Sequence, residues 1–226
     1  MNFNRQYKIV DVDSIPPIGI IGAGSIGSWV ALVLSKMGAK DITVWDFDII
    51  EPENGPNQIY KVSDNGRPKV EALRDIISEH TGNEIKINMD KYDGTNKEII
   101  ISGVDDITIR KDIFNSFIDM NMGIKLYIDG RMGGELSSIF IVDPMDIDSC
   151  ANYKGTLFDK SKAEELECGM QSVVYNNTWI ASFIANQVKL YTMKQYDNMF
   201  DKVHMSWGKM NIIGRRDDKN VFLDTV

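Results

Sequence analysis

Between Ile18 and Lys69 the chain spaces glycines, carboxylates, amides and a lysine as a site for an anion beside a ribose would. "GAGSIG" puts Gly22, Gly24 and Gly27 in the pattern G-x-G-x-x-G, with Ala23 and Ser25 between them. Such glycines permit a tight turn, let the main chain approach a phosphate, and let a helix pack close to a strand. The free amides of the helix that follows then face the anion with the positive end of the helix dipole. Asp46 stands about 20 residues beyond the glycines, where a carboxylate accepts from ribose hydroxyls. NAD and ATP share both groups, so the fingerprint selects a nucleotide without choosing between them.

These residues need strands and helices to hold them, and the hydrophobic pattern supplies both. "IGIIGAG" is a continuous apolar run ended by glycines, as in a strand buried on both faces. "SIGSWVALVLSKMGA" follows with Ile26, Val30, Val33, Leu34 and Met37 at helical spacing and Gly38 as its stop. "DITVWD" predicts a second strand, and "RPKVEALRDIISEHTG" a second helix with Pro68 near its start. "EIKINMD" and "EIIISGVDD" predict the third and fourth strands, a helix is expected over about 108–121, and "KLYIDGR" reads as the fifth strand.

Beyond this point the pattern changes. "ELSSIFIVDP" alternates as a half-exposed strand does, about 172–196 reads as a long helix, and "KVHMSWGKMNIIG" as a strand or hairpin. The wide apolar face of that helix, from Val173 to Leu190, is read as packing on the sheet, with part of it open to a dimer contact. The expectation is an α/β, Rossmann-like fold with a mostly parallel sheet, helices on both faces, and a C-terminal antiparallel extension. No linker or repeat divides the chain, so 1–226 is taken as one domain. It has an N-terminal arm (1–16), a core (17–130), and antiparallel strands with the long helix (131–226).

The stretch "DFDIIEPENGPNQ" followed by "GRPKVEALRDII" closely resembles the ThiF/MoeB/HesA family, relatives of the ubiquitin-activating enzymes. The family pattern is a glycine fingerprint, Asp-x-Asp, an Asn-x-x-Arg-Gln loop, and Gly-x-x-Lys opening a helix. Gly22, Gly24, Gly27, Asp46, Asp48, Asn54, Gln58, Gly66 and Lys69 fall on it in order. The resemblance implies ATP as the nucleotide and adenylation of the C-terminal carboxylate of a small ubiquitin-like or sulfur-carrier protein. It implies magnesium held by Asp105, with Arg110 on the arginine five residues later. "FNRQ" resembles the segment whose arginine reaches a partner subunit's site, which implies a trans-acting Arg5 and a homodimer. Cys168 lies where some relatives carry an acceptor thiol, and a helix N-terminus would favour its thiolate.

The chemistry agrees with the residues. A carboxylate attacking the α-phosphate brings anion to anion, so cations and in-line placement are needed, and Lys69 at a helix start supplies one. No general base is required because a carboxylate is ionised at neutral pH; the two histidines, His80 and His204, are read as structural or exposed. Asn57 stands where the family carries its loop arginine, with Lys61, Arg67 or Arg131 as substitutes. That departure motivates a second reading, a weakened member that binds nucleotide or partner without turnover. A NAD-dependent oxidoreductase is a third, resting on the glycines and Asp46 alone. Arg131, after Asp129 in "IDGRMGGEL", is expected beside the partner's C-terminal tail or on a structural turn.

A net charge of −8 argues against nucleic acid or an anionic membrane as the main partner. Cys150 and Cys168 are the only cysteines, so neither a disulfide framework nor a structural zinc is expected. With neither signal-peptide pattern nor spanning segment, a cytoplasmic location is expected.

Overall fold

The computed structural model describes residues 1–158, 172–206 and 209–215. The chain runs β1 (Ile18–Ile21), α1 (Gly27–Met37), β2 (Ile42–Trp45), α2 (Lys69–Thr81), β3 (Lys86–Asn88), β4 (Ile99–Ser102), α3 (Ile107–Ile113) and β5 (Leu126–Gly133). It continues through β6 (Leu136–Val142), α4 (Ile147–Lys154), α5 (Val174–Thr192), β7 (Phe200–Ser206) and β8 (Lys209–Arg215). The strands form one sheet in the order β3-β2-β1-β4-β5-β6-β7-β8. Pairings are parallel from β3 through β5 and antiparallel from β5 through β8. The Rossmann-like expectation and its antiparallel extension are both met.

Alternation along the strands sorts side chains to two faces. Ile18, Ile20, Ile99, Ile101 and Ile128 pack with Val30, Leu34, Leu73, Ile180 and Ile184 of α1, α2 and α5. Ile21, Trp45, Ile100, Tyr127 and Phe140 pack on the other side with Phe114 and with Cys150 and Tyr153 of α4. Helices therefore cover both faces, and the strands between them must be apolar throughout. Every residue of β1, β2 and β4 is buried.

Two helices depart from their expected lengths, and a third was not expected. α3 stops at Ile113 and passes into a single π-turn over Phe114–Ile118, which buries Phe114 and Ile118. α5 is shorter at both ends, closing as Lys194 takes φ 54°. α4, absent from the expectation, is two turns long; Asp146 caps it by accepting from the Asp148 and Ser149 amides. Among the described residues no helix is long and apolar enough to cross a membrane.

Candidate active site

The strand order reverses between β1 and β4, and it is at such a switch point, beyond the carboxyl ends of the parallel strands, that sheets of this kind place their ligand crevice. Gly22 leaves β1 with φ +92°, a conformation that side chains rarely adopt. A Cβ on Gly27 would sit 1.8 Å from the Gly22 carbonyl oxygen, so only glycine lets α1 start this close to the strand. At Gly24 a Cβ would meet nothing within 4 Å, which leaves this side of the turn open to a ligand. Beside this turn, the backbone of Gly103, just after β4, lies 3.3 Å from a Cβ built on Gly22, so the two strand ends are packed together.

Asp46 leaves β2 and binds this turn. Its Oδ2 accepts from the Ala23 amide at 2.6 Å and its Oδ1 from the Asp48 amide at 2.8 Å. Burial pushes the Asp46 carboxyl above its ordinary range, against the pull of those two amides and Lys69. Lys69 opens α2 and its Nζ donates to Asp48 Oδ2 at 2.8 Å. The lysine side chain is 10% exposed and that of Asp48 53%. Asp48, Ile49, Glu51, Asn54 and Lys69 line a depression of about 230 Å³. A larger cavity of about 340 Å³, lined among others by Leu126, Tyr191 and Phe200, lies at the opposite end of the sheet, far from the glycine turn.

The segment between Asp46 and Lys69 is a closed loop. Ile49 bridges Pro68, and across the loop's base the Ile50 amide donates to the Arg67 carbonyl while the Ile50 carbonyl accepts from the Gly66 amide. Asn54 accepts from the Glu51 amide, while its own carbonyl accepts from the amides of Asn57 and Gln58. Tyr60 is buried and donates to the Ala23 carbonyl at 2.6 Å, joining the loop's exit to the glycine turn. The Asn57 carbonyl accepts from Trp29 Nε1 at 3.0 Å and from Asn177 Nδ2 at 2.8 Å. Trp29, Tyr60 and Asn177 were not anticipated, since each meets a partner far away in sequence.

Asp105 follows β4 and is exposed. Arg110, one turn into α3, is buried; it donates to the Val104 carbonyl beside Asp105, to Asp129, and to the Gly130 carbonyl at 3.2 Å. Asp129 is fully buried and accepts also from Arg131 Nε at 2.7 Å and from the Tyr153 hydroxyl at 2.9 Å. Burial pushes the Arg110 guanidinium down to about 10, so it stays charged at neutral pH. Arg131 also donates to Thr156, at 2.9 Å to the carbonyl and 3.0 Å to the hydroxyl. Its guanidinium lies 4.2 Å above the Phe140 ring. Each arginine thus directs three of its five N–H donors to groups of the fold.

The ThiF family profile matches residues 13–218. The chain belongs to the ThiF family. Ubiquitin-like modifier-activating enzyme 5 of Caenorhabditis briggsae is 28% identical over 97 residues, 42% of this chain and 22% of that protein. The probable adenylyltransferase/sulfurtransferase MoeZ of Mycobacterium tuberculosis is 39% identical over 59 residues, 26% of this chain and 15% of that protein. The crystal structure of Escherichia coli MccB superposes with a TM-score of 0.69 at 16% identity, covering 89% of this chain and 63% of that one. MccB with ATP gives 0.64 at 15% identity, covering 90% and 66%. The matched region is thus about a fifth or less of these curated relatives and about two thirds of the structural neighbours.

On this ThiF-family fold the remaining predicted residues scatter. Arg5 is exposed, in an arm held where Gln6 donates to the Met37 carbonyl at 2.6 Å, at the carboxyl end of α1. Eleven residues of helix separate that end from the glycine turn, about 16 Å, so Arg5 lies away from its own chain's crevice. Arg67 is tied to Asp64 at 2.9 Å and Asp75 at 2.5 Å, and Lys61 to Glu79 at 2.5 Å. All three cations expected to stand in for the loop arginine are therefore engaged with carboxylates. Cys168 lies outside the described residues.

Proposed function

We propose that this chain is an ATP-dependent adenylyltransferase acting on the C-terminal carboxylate of a small ubiquitin-like or sulfur-carrier protein. The observation that carries this reading is the convergence at one crevice of the open glycine turn, Asp46, the Lys69–Asp48 pair and the Asp105 turn. The names of the relatives support it: a ubiquitin-like modifier-activating enzyme and an adenylyltransferase/sulfurtransferase. MccB, which shares the fold, has been solved with ATP and with MccA.

The residues fit the nucleotide. Gly22, Ala23, Gly24, Ser25 and Gly27 would hold the phosphates against the amides that open α1, with Asp46 at the ribose. Asn54 and Gln58, on the loop crossing the site, would face the triphosphate. Lys69 would exchange Asp48 for phosphate oxygens, and the half-exposed Asp48 gives up its partner to water at little cost. One exposed carboxylate at Asp105 suits magnesium, which keeps several waters and takes one or two carboxylates beside phosphate oxygens. When bound, that ion would neutralise charge on the phosphates. Arg5 would act in a partner subunit's crevice, consistent with its distance from its own, and so within a homodimer.

The partner's carboxylate oxygen forms a bond to the α-phosphorus, the bond from that phosphorus to the bridging oxygen breaks, and pyrophosphate leaves with the electron pair. The protein moves no proton; its residues orient the two anions and supply positive charge as it develops. ATP–pyrophosphate exchange that depends on a carrier with a free C-terminus is the expected result. Its absence with every small carrier encoded near this chain would overturn the reading. A weakened member that binds without turnover is the second reading, favoured by Asn57 and by the engagement of Lys61, Arg67 and Arg131. Calorimetry showing ATP but not NAD bound would dismiss the oxidoreductase.

A further inference from the structure

Two helices far apart in sequence send one donor each to the same carbonyl oxygen. Trp29 belongs to the first turn of α1, which issues from the glycine turn; Asn177 belongs to the first turn of α5. Both donate to the Asn57 carbonyl, filling its two lone pairs. Asn177 is fully buried, and its Nδ2 also donates to Ser172 Oγ at 3.3 Å. Next to it the fully buried Asn176 accepts from Ser137 and donates to the Gly134 and Leu136 carbonyls. The first turn of α5 thus fastens the crossing loop on one side and the β5–β6 turn on the other.

We infer that Trp29 and Asn177 are positioning residues of the nucleotide site, acting through the one carbonyl they share. This rests on the adenylyltransferase reading. A packing role alone would be met by leucine at 177, which fills the same volume and asks for no partners, whereas a buried amide costs free energy unless bonded. What the two donors add is order: the loop carrying Asn54 and Gln58 is fixed relative to α1 before a nucleotide arrives. A loop already fixed spares the ligand the entropy of ordering it. Because the loop is gripped by its main chain, the grip does not depend on the side chain at 57.

Trp29→Phe keeps an aromatic ring, though a smaller one, and removes the N–H; Asn177→Leu keeps the volume and removes both donors. In the full-length protein each substitution raises the ATP dissociation constant about three- to tenfold, the worth of a neutral hydrogen bond. The double variant exceeds the product, because each single variant leaves the shared carbonyl one donor and only the double variant strands it. In the unliganded protein the Asn57 and Gln58 amides, both bonded to Asn54, exchange faster while those of β1 and β4 do not change. If Asn177→Leu does not fold, Trp29→Phe carries the test. Dissociation constants within about twofold of wild type, with unchanged exchange at 57 and 58, overturn the inference whatever happens to melting temperature. Wild-type protein that binds no ATP overturns the nucleotide reading and this inference with it; wild-type binding with unmoved variants overturns this inference alone.

Discussion

The Lys69–Asp48 pair and the Arg110–Asp129–Arg131 cluster lie at the same carboxyl end of the parallel strands, yet they meet water differently. Asp48 is 53% exposed, and its pairing with Lys69 is a single bond of 2.8 Å. Asp129 is fully buried, shared by two arginines and a tyrosine, and those arginines also hold three backbone carbonyls and a hydroxyl. Because Asp48 can return to water while Lys69 stays buried, opening this pair leaves only the ammonium in need of a partner, which a phosphate supplies. A buried cluster is costly to form and costlier to break, since losing one member strands the others. Position at the end of a strand therefore does not make a charge a ligand group. Solvent access and the number of existing partners decide.

The largest effect is expected at Asp129. Asp129→Ala leaves two guanidiniums facing each other without their carboxylate, and stability is expected to fall by about 3–5 kcal/mol. Denaturant unfolding measures it, and a loss below about 1 kcal/mol would show that the cluster is no more binding than a surface pair. Lys69→Met keeps the aliphatic stem and removes the charge. The expected loss of pyrophosphate exchange is on the order of 10²–10³-fold, with stability changed by less than about 1 kcal/mol. Should Lys69→Met unfold the protein while Asp129→Ala leaves it intact, the two clusters have been assigned the wrong way round.

Local rules carried the parallel half. The apolar runs of β1 and β4, the glycine turn, Asp46 at the end of β2 and Lys69 at the start of α2 are each written in a few consecutive residues. Their chemistry is a turn, a cap or a strand end, which neighbours in sequence dictate. The grip on Asn57 is not written that way. Its donors come from 28 and 120 positions away, and Trp29 and Asn177 sit in helices whose apolar faces hide a polar partner. Arg131 was legible as a charge at a strand end, but Thr156, which consumes it, follows only after β6 and α4. The π-turn after α3 was equally invisible, because Phe114 and Ile118 are placed by the core on the second face of the sheet rather than by helical spacing. An Asp before a short polar stretch was the one signal for α4.

Asn57→Arg sharpens the comparison from the side of the ligand. The loop is held at the Asn57 main-chain carbonyl, so a new side chain there leaves both donors in place. Arg67 and Lys61 on the same loop are already paired with carboxylates, so a cation at 57 adds a charge that neither of them supplies. Loss of one well-placed donor costs on the order of 10²–10³-fold, and an added one without a tuned setting recovers less, so a gain of roughly tenfold in exchange is expected. No gain would mean that the loop's geometry, rather than the missing charge, limits the reaction.

The smallest effect lies in the antiparallel half, at His204 on β7. Its Nδ1 shares a 2.6 Å hydrogen bond with Ser138 Oγ, and its ring meets Phe140 edge-on. Burial holds its pKa below the ordinary 6.5, and Lys202 and Arg131 push the same way. A lowered folded value means that the unfolded chain binds the proton more readily. The resulting stability is complete above 6.5 and is lost as pH falls from there through the lower folded value. Wild-type protein should therefore lose more stability between about pH 7.5 and pH 5 than His204→Gln does, measured as the denaturant midpoint at each pH. The difference between the two slopes isolates this imidazole from the carboxylates that also titrate. Equal slopes would mean that the ring is as well solvated as Asp48, and that burial does not separate the two halves of the sheet in the way their charge clusters indicate.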